Sequence, residues 1–322
     1  MAKSKEPQML LVGVWVNRNW ILGNWIREVQ ARGKEWSSLY WLPSVLANKH
    51  WLEKFLKPPL PKADAYFFSY LSIFERYLEK DSRYENKSII LYTHNDPELG
   101  SSEHQVEVLN RAFSVHFYCS KDAEKLVALG LKQEKVRVAL CAVDVDCVRD
   151  HKISREPKTV VLASKYGSRK GLEHFPELVA AMPDWKFLIL GRDWEEFLAK
   201  NNLHKNPNIE YFRFSKKTRN EVMSRASVFL SLSNLEGGPV PLIESMALGV
   251  APVATNTGFA RDVILKSDTG IIIPINETVE KIKEAITSAA LLQGDISGAV
   301  NHLTWDRIAK LTFEDLSQIT SK

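Results

Sequence analysis

The chain has 322 residues, 45% of them hydrophobic and 25% charged, with a formal net charge of +4. This is ordinary composition for a folded protein, and because one core rarely grows past about 250–300 residues, two domains are expected. The mild charge, without a Lys/Arg block, argues against nucleic acid as a partner; Cys119, Cys141 and Cys147 form no CxxC, against a disulfide framework or a zinc site and for a reducing, cytoplasmic setting.

The opening MAKSKEPQMLLVGVWVN sets a basic start before an apolar run. A secretory leader is the alternative reading, but Asn17, Arg18 and Asn19 break the run after about nine residues and no small-residue cleavage site follows. Residues 9–16 therefore read as a strand buried on both faces. No apolar stretch approaches the ~20 residues that cross a bilayer. A helix, WIREVQARG, follows and closes at Gly33 as a C′ glycine. Further strands are expected at 36–42, 65–68, 88–92, 115–118 and 136–140, with helical stretches at 104–113 and 122–129.

Residues 147–158, CVRDHKISREPK, lack apolar periodicity and read as a linker. A second series then begins: TVVLAS, KFLIL, IEYF, SVFLSL, APVAT and GIIIP alternate with helical segments, and LTWDRIAKLTFEDLSQIT is a final helix. Alternating strands and helices imply parallel sheets with helices on both faces. The expected fold class is α/β, two Rossmann-like doubly wound domains facing a cleft, over 1–150 and 151–303. Ligands of such sheets bind beyond the carboxyl ends of the strands, which selects the loops at 17–24, 93–100, 165–171, 191–193 and 234–242.

Within the last of these, EGGPVPLIE puts a carboxylate at each end of a turn suited to an anion. Proline at a helix start loses no intrahelical bond. The N–H groups of Val240 and Leu242, with the helix dipole, would make a phosphate site, and Gly237 and Gly238 allow close backbone approach. Glu236 and Glu244 would repel phosphate, but an ionised carboxylate accepts hydrogen bonds from sugar hydroxyls. A diphosphate with a sugar at each end satisfies the whole stretch. Alone, the stretch is equally compatible with a helix start carrying an acidic cap and one exposed glutamate. SKYGSRKG adds Lys165 and Lys170 around a turn closed by Gly171. These ammonium groups can neutralise a diphosphate and a leaving phosphate; a solvated basic turn is the plainer alternative.

Together, LSLSNLEGGPVPLIESMALGVAPVATNTGFARDVI, TGIIIP and SKYGSRKG resemble the donor-binding half of GT-B glycosyltransferases of family 4 (group 1). The resemblance covers residues 159–320 and is diffuse over 1–150. It implies that Glu236 contacts the transferred sugar, Glu244 holds the ribose hydroxyls, and Lys170 binds the diphosphate. Gly238, Pro239, Val240 and Leu242 would face the phosphates. Lys165 stands where the family has arginine, keeping the charge but losing the bidentate fork. Gly23, with Asn24, falls where the family has a glycine pair, and His94 in LYTHNDPELG matches a cleft histidine. Val143–Asp144 fits the family's following segment, whereas Cys141–Ala142 departs from it. The tryptophan-led helix 304–320 is implied to return to the first domain, as in the family.

Asp144 and Asp146 look like a metal pair, but the resemblance implies that basic groups replace a metal, so no metal and no cofactor is expected. The absence of GxGxxG after the first strand counts against a nicotinamide enzyme. Six of nine tryptophans fall in the first 51 residues. With KHWLEKFLKPPLPK they suggest a surface for a saccharide or lipid-linked acceptor and for peripheral contact with the inner face of a membrane. Trp20 and Trp25, beside the first loop, are the expected contacts; burial of most of these tryptophans in the core is the alternative. The implied activity is retaining, metal-independent glycosyl transfer, as in polysaccharide or glycolipid biosynthesis. A nucleotide-sugar hydrolase or epimerase, or a non-catalytic GT-B scaffold subunit, is the alternative.

Overall fold

The computed structural model describes residues 7–43, 59–93, 100–143 and 154–321. The chain divides into two compact units, 1–140 with 305–322, and 141–304. The division falls ahead of residue 150 because Val143 N–H donates to Leu303 O at 3.0 Å and the Cys141 sulfur packs by Gly238, both in the second unit. The rest of the expected 147–158 linker up to residue 153 lies outside the described residues, as do His94, Asp144, Asp146, Cys147 and Trp51.

The first unit runs β1 (Met9–Val14), a 3-10 turn (Trp15–Asn17), α1 (Ile21–Arg32), β2 (Ser37–Leu42), β3 (Ala65–Phe68), α2 (Leu71–Leu78), β4 (Ser88–Tyr92), α3 (Ser102–Leu109), β5 (Ser114–Phe117), α4 (Ser120–Ala128) and β6 (Val136–Val138). Its strands pair in the order β2-β1-β3-β4-β5-β6, and every pairing is parallel. β1, β3, β4 and β5 are buried along their whole length, as apolar runs without alternation require when helices cover both faces.

The second unit runs β7 (Thr159–Ala163), α5 (Phe175–Ala181), β8 (Lys186–Gly191), α6 (Glu195–Lys200), β9 (Ile209–Arg213), α7 (Lys216–Arg225), β10 (Val228–Ser231), α8 (Val240–Ala247), β11 (Ala251–Thr255), α9 (Ala260–Val263), β12 (Ile271–Ile273) and α10 (Val279–Ala289). The last helix, α11 (Trp305–Thr320), is part of the first unit. The second sheet has the order β12-β11-β10-β7-β8-β9. Counted from β7, this is the doubly wound dinucleotide-binding order, and its direction of winding reverses between β7 and β10.

α11 packs against α1. Trp305 meets Trp25 edge-on at 6.1 Å, and Arg32 Nε donates to Asp306 at 2.5 Å. Gly33 does not cap α1 in the left-handed conformation: its φ is −143°. A side chain there would overlap the Phe313 ring, so the glycine makes room for α11. Beneath this helix a buried polar cluster joins it to the sheet. Asp315 Oδ2 accepts from Ser114 Oγ at 2.5 Å and His116 Nε2 at 2.9 Å, and Oδ1 accepts from Arg137 Nε and Nη2 at 3.1 and 2.9 Å. Because a carboxylate only accepts, the His116 proton sits on Nε2.

The tryptophans divide between core and surface. Trp25, expected at a ligand, is fully buried: α1 turns Leu22, Trp25, Ile26 and Val29 inward at helical spacing, and Trp25 lies on Tyr118 and Trp305. Trp15 and Trp20 are 50% and 59% exposed, and the Arg18 guanidinium stacks over Trp15 at 3.7 Å. Among the described residues no helix is long and apolar enough to cross a membrane.

Candidate functional site

The reversal between β7 and β10 decides what meets in the second unit. Each strand is followed by a loop at its carboxyl end, and the two loops are tied together by Asn234 N–H donating to Arg169 O at 2.8 Å. Gly171 makes this approach possible. It holds φ +60°, and a Cβ there would overlap the Leu232 carbonyl oxygen. Lys170 is thereby carried to Glu236, and its ammonium donates directly to Oε1 of that carboxylate. Ser233 Oγ donates to the same oxygen at 2.8 Å. Ser233 is itself fixed, since Thr255 Oγ1 donates to its carbonyl at 2.6 Å. The Lys170 and Glu236 side chains are only 15% and 8% exposed, so the pair is largely removed from solvent and charge-assisted.

From Glu236 the chain passes through Gly237–Pro239 into α8. A Cβ on Gly238 would lie 2.7 Å from the Phe259 ring and 3.1 Å from the Cys141 sulfur, so this turn has no room for a side chain. Pro239 precedes the first turn and Pro241 lies within it. Among the described residues neither Gly238 N–H nor Val240 N–H has a backbone acceptor. The Leu242 N–H, expected to be available, donates to Pro239 O at 2.8 Å, and the Leu242 side chain is fully buried. Leu242 thus closes the first turn, and the Gly238 and Val240 N–H groups are left as the candidate donors to an anion.

Glu244, one helical stretch further on, accepts from Arg219 Nη1 of α7 at 2.5 Å, with side chains 12% and 17% exposed. Each bracketing glutamate therefore carries its own cation, Lys170 for Glu236 and Arg219 for Glu244. The charge that would oppose an anion between them is compensated locally. Arg219 carries no motif in the sequence, and the pairing joins residues 25 positions apart on different helices.

Lys165 lies on the same loop as Lys170 but faces solvent, paired with Asp193 at 3.2 Å, both side chains 61% exposed. Gly23 and Asn24 belong to the first unit, in the opening turns of α1. A Cβ on Gly23 would overlap the Arg18 main chain, so this glycine lets the loop after β1 lie against the helix. Asn24 N–H donates to Trp20 O at 2.8 Å, and its side-chain oxygen accepts from Arg27 at 3.2 Å. Among the described residues no three His, Cys, Asp or Glu side chains gather as metal ligands would.

A family profile described as "Glycosyl transferases group 1" matches residues 148–295. Residues 148–295 belong to the glycosyl transferases group 1. This segment holds the Lys170–Glu236 and Arg219–Glu244 pairs. A phosphatidyl-myo-inositol mannosyltransferase of Mycolicibacterium smegmatis is 30% identical over 131 residues, 38% of this chain and 34% of the relative. An N-acetyl-alpha-D-glucosaminyl L-malate synthase of Bacillus anthracis is 28% identical over 145 residues, 43% of this chain and 38% of the relative. The matched stretch thus spans little more than a third of the length of either curated relative. Among solved structures, Anabaena Alr3699/HepE in complex with UDP and glucose superposes with a TM-score of 0.75 at 12% identity, covering 97% of this chain and 100% of that one. Sucrose-phosphate synthase from Thermosynechococcus elongatus gives 0.75 at 14% identity, over 98% and 100%. The group 1 glycosyl transferase segment and the unit before it together have the GT-B fold class, two parallel six-stranded α/β units with a C-terminal helix.

Proposed function

We propose that this protein is a retaining, metal-independent glycosyltransferase that moves a sugar from a nucleotide-sugar donor to a saccharide or lipid-linked saccharide acceptor. The observation that carries this reading is the meeting of Lys170 and Glu236 at the point where the second sheet reverses, beside the open Gly238 and Val240 N–H groups. Relatives and neighbours named as a mannosyltransferase and as a complex with UDP and glucose support the substrate class.

In this reading the donor diphosphate lies over the start of α8, where backbone N–H groups and the helix dipole favour negative charge. Lys170 has three donors, enough to keep Glu236 while reaching a phosphate oxygen, and Lys165 approaches from the solvent side. As the bond from the anomeric carbon to the phosphate oxygen breaks, these cations stabilise the charge on the leaving diphosphate. The acceptor hydroxyl attacks from the same face, and its proton passes to the departing phosphate oxygen, so configuration is retained without a protein nucleophile. Glu236 orients the sugar and stabilises positive charge at the reacting carbon, and Glu244 accepts from the ribose diol. His94 is assigned to orienting the sugar or acceptor. The acceptor belongs to the first unit, and the exposed Trp15 and Trp20 support an amphipathic acceptor and contact with the cytoplasmic face of a membrane.

A panel of UDP, GDP, ADP and CMP sugars followed by thermal unfolding tests this reading. A ligand at a hundred times its dissociation constant adds about 2.7 kcal/mol of stability. One nucleotide class should raise the unfolding temperature with EDTA present; no response to any sugar nucleotide, or a response only with a divalent metal, would contradict it.

A further inference from the structure

We infer that Arg219 is a positioning residue for the donor's ribose, acting through Glu244; the inference rests on the assignment of Glu244 to the ribose diol. Arg219 Nη1 donates to Glu244 Oε1 at 2.5 Å, and its Nε donates to Asn220 Oδ1 at 2.9 Å. The guanidinium is thus held on two edges and cannot swing away as a lysine head would. Its helix is anchored at the same end. Ser215 and Thr218 form a reciprocal capping box, and Arg219 N–H donates to Ser215 O at 3.0 Å. A planar, permanently charged group on a fixed helix start therefore determines where one Glu244 oxygen sits.

The chemistry of a diol makes that placement matter. Two vicinal hydroxyls can both donate to one carboxylate only when its plane is oriented toward them, and each carboxylate oxygen has two acceptor directions. With Oε1 held by Arg219, rotation of the carboxylate is restricted and its remaining acceptor directions are biased toward one side. Side chains only 12% and 17% exposed keep the pair in a region of weak solvent screening. The same cation offsets repulsion between Glu244 and a neighbouring diphosphate. Arg219 need not touch the nucleotide for either effect.

The test compares a ribonucleoside diphosphate with its 2′,3′-dideoxy counterpart, using whichever of UDP, GDP and ADP the wild-type chain binds most tightly. Binding is measured by calorimetry for wild type, Arg219→Gln and Arg219→Lys, with thermal unfolding of each unliganded chain. Arg219→Gln should weaken the ribonucleotide by about tenfold to a hundredfold, the range that one charge-assisted hydrogen bond spans, and weaken the dideoxynucleotide far less, through the loss of charge compensation alone. Arg219→Lys, which keeps the charge on a flexible stem, should recover part of the loss. Equal weakening of both nucleotides, or no weakening of either, overturns the inference, and a folding defect would appear as such equal weakening. Wild-type chain that binds both nucleotides equally removes the ribose from Glu244 and the inference with it, leaving the diphosphate assignment of Lys170 standing. No binding of any nucleotide overturns the donor reading itself.

Discussion

Replacing Asp315 by asparagine removes the one negative charge in the cluster that ties α11 to the first sheet. The carboxylate accepts four hydrogen bonds, one from Ser114, one from His116 and two from Arg137. The His116 and Asp315 side chains are 0% and 1% exposed, while Arg137 keeps 23%. Breaking one side of a buried charge pair costs about 3–5 kcal/mol. Partial exposure of Arg137 argues for the lower end, about 3 kcal/mol, or roughly a hundredfold in an opening equilibrium. Hydrogen exchange reads the two units separately. Protection across 114–117 and 305–320 should fall by roughly that factor, while 186–191 in the second unit stays unchanged.

The same residue sets a pH dependence. Burial pushes the Asp315 carboxyl up, but His116, Ser114 and Arg137 outweigh it and hold the group below its ordinary value. Its contribution is therefore complete above the unfolded value of about 4 and is lost as pH falls through the lower folded value. The asparagine variant should lose that acid-side decline in α11 protection. Unchanged protection of α11 at neutral pH, or an equal fall in both units, would refute the reasoning.

Two further outcomes are expected at the site. Gly171→Ala forces a side chain into the Leu232 carbonyl at φ +60°; it should destabilise the second unit by more than about 1 kcal/mol in denaturant unfolding and weaken nucleotide binding as the two loops separate. Lys165→Ala removes an exposed pair with Asp193, so stability should change by less than about 1 kcal/mol, whereas donor affinity should fall and become less sensitive to salt in a titration.

Much of the fold is local in the sequence. Strands buried on both faces appear as short apolar runs, and the start of α8 is marked by its glycines and prolines, so Glu236 and Glu244 could be placed on a turn and a helix before any contact was known. What pairs with them could not be read in the same way. Lys170 meets Glu236 across 66 residues and Arg219 meets Glu244 across 25, through strand order and helix packing. Gly33 looked like a cap because the α1 pattern ends there, yet its cause is Phe313, 280 positions later. Ser114, His116, Arg137 and Asp315 likewise become a cluster only once α11 returns to the first unit. Trp25 sits in the same tryptophan-rich segment as Trp15 and Trp20, but it lies on the inward face of α1, whereas Trp15 is in the 3-10 turn and Trp20 precedes the helix.

The central claim is that Lys170 and Glu236 act together on a nucleotide sugar. The most direct measurement is release of nucleoside diphosphate from the stabilising sugar nucleotide, with acceptor and EDTA present, for wild type, Lys170→Met and Glu236→Gln. Turnover by the wild type that falls at least about a hundredfold in each variant, as loss of a preorganised charge at the leaving group for Lys170 and at the reacting carbon for Glu236 predicts, with product of retained configuration, is the expected result. Full turnover in Lys170→Met, or product of inverted configuration, would contradict it.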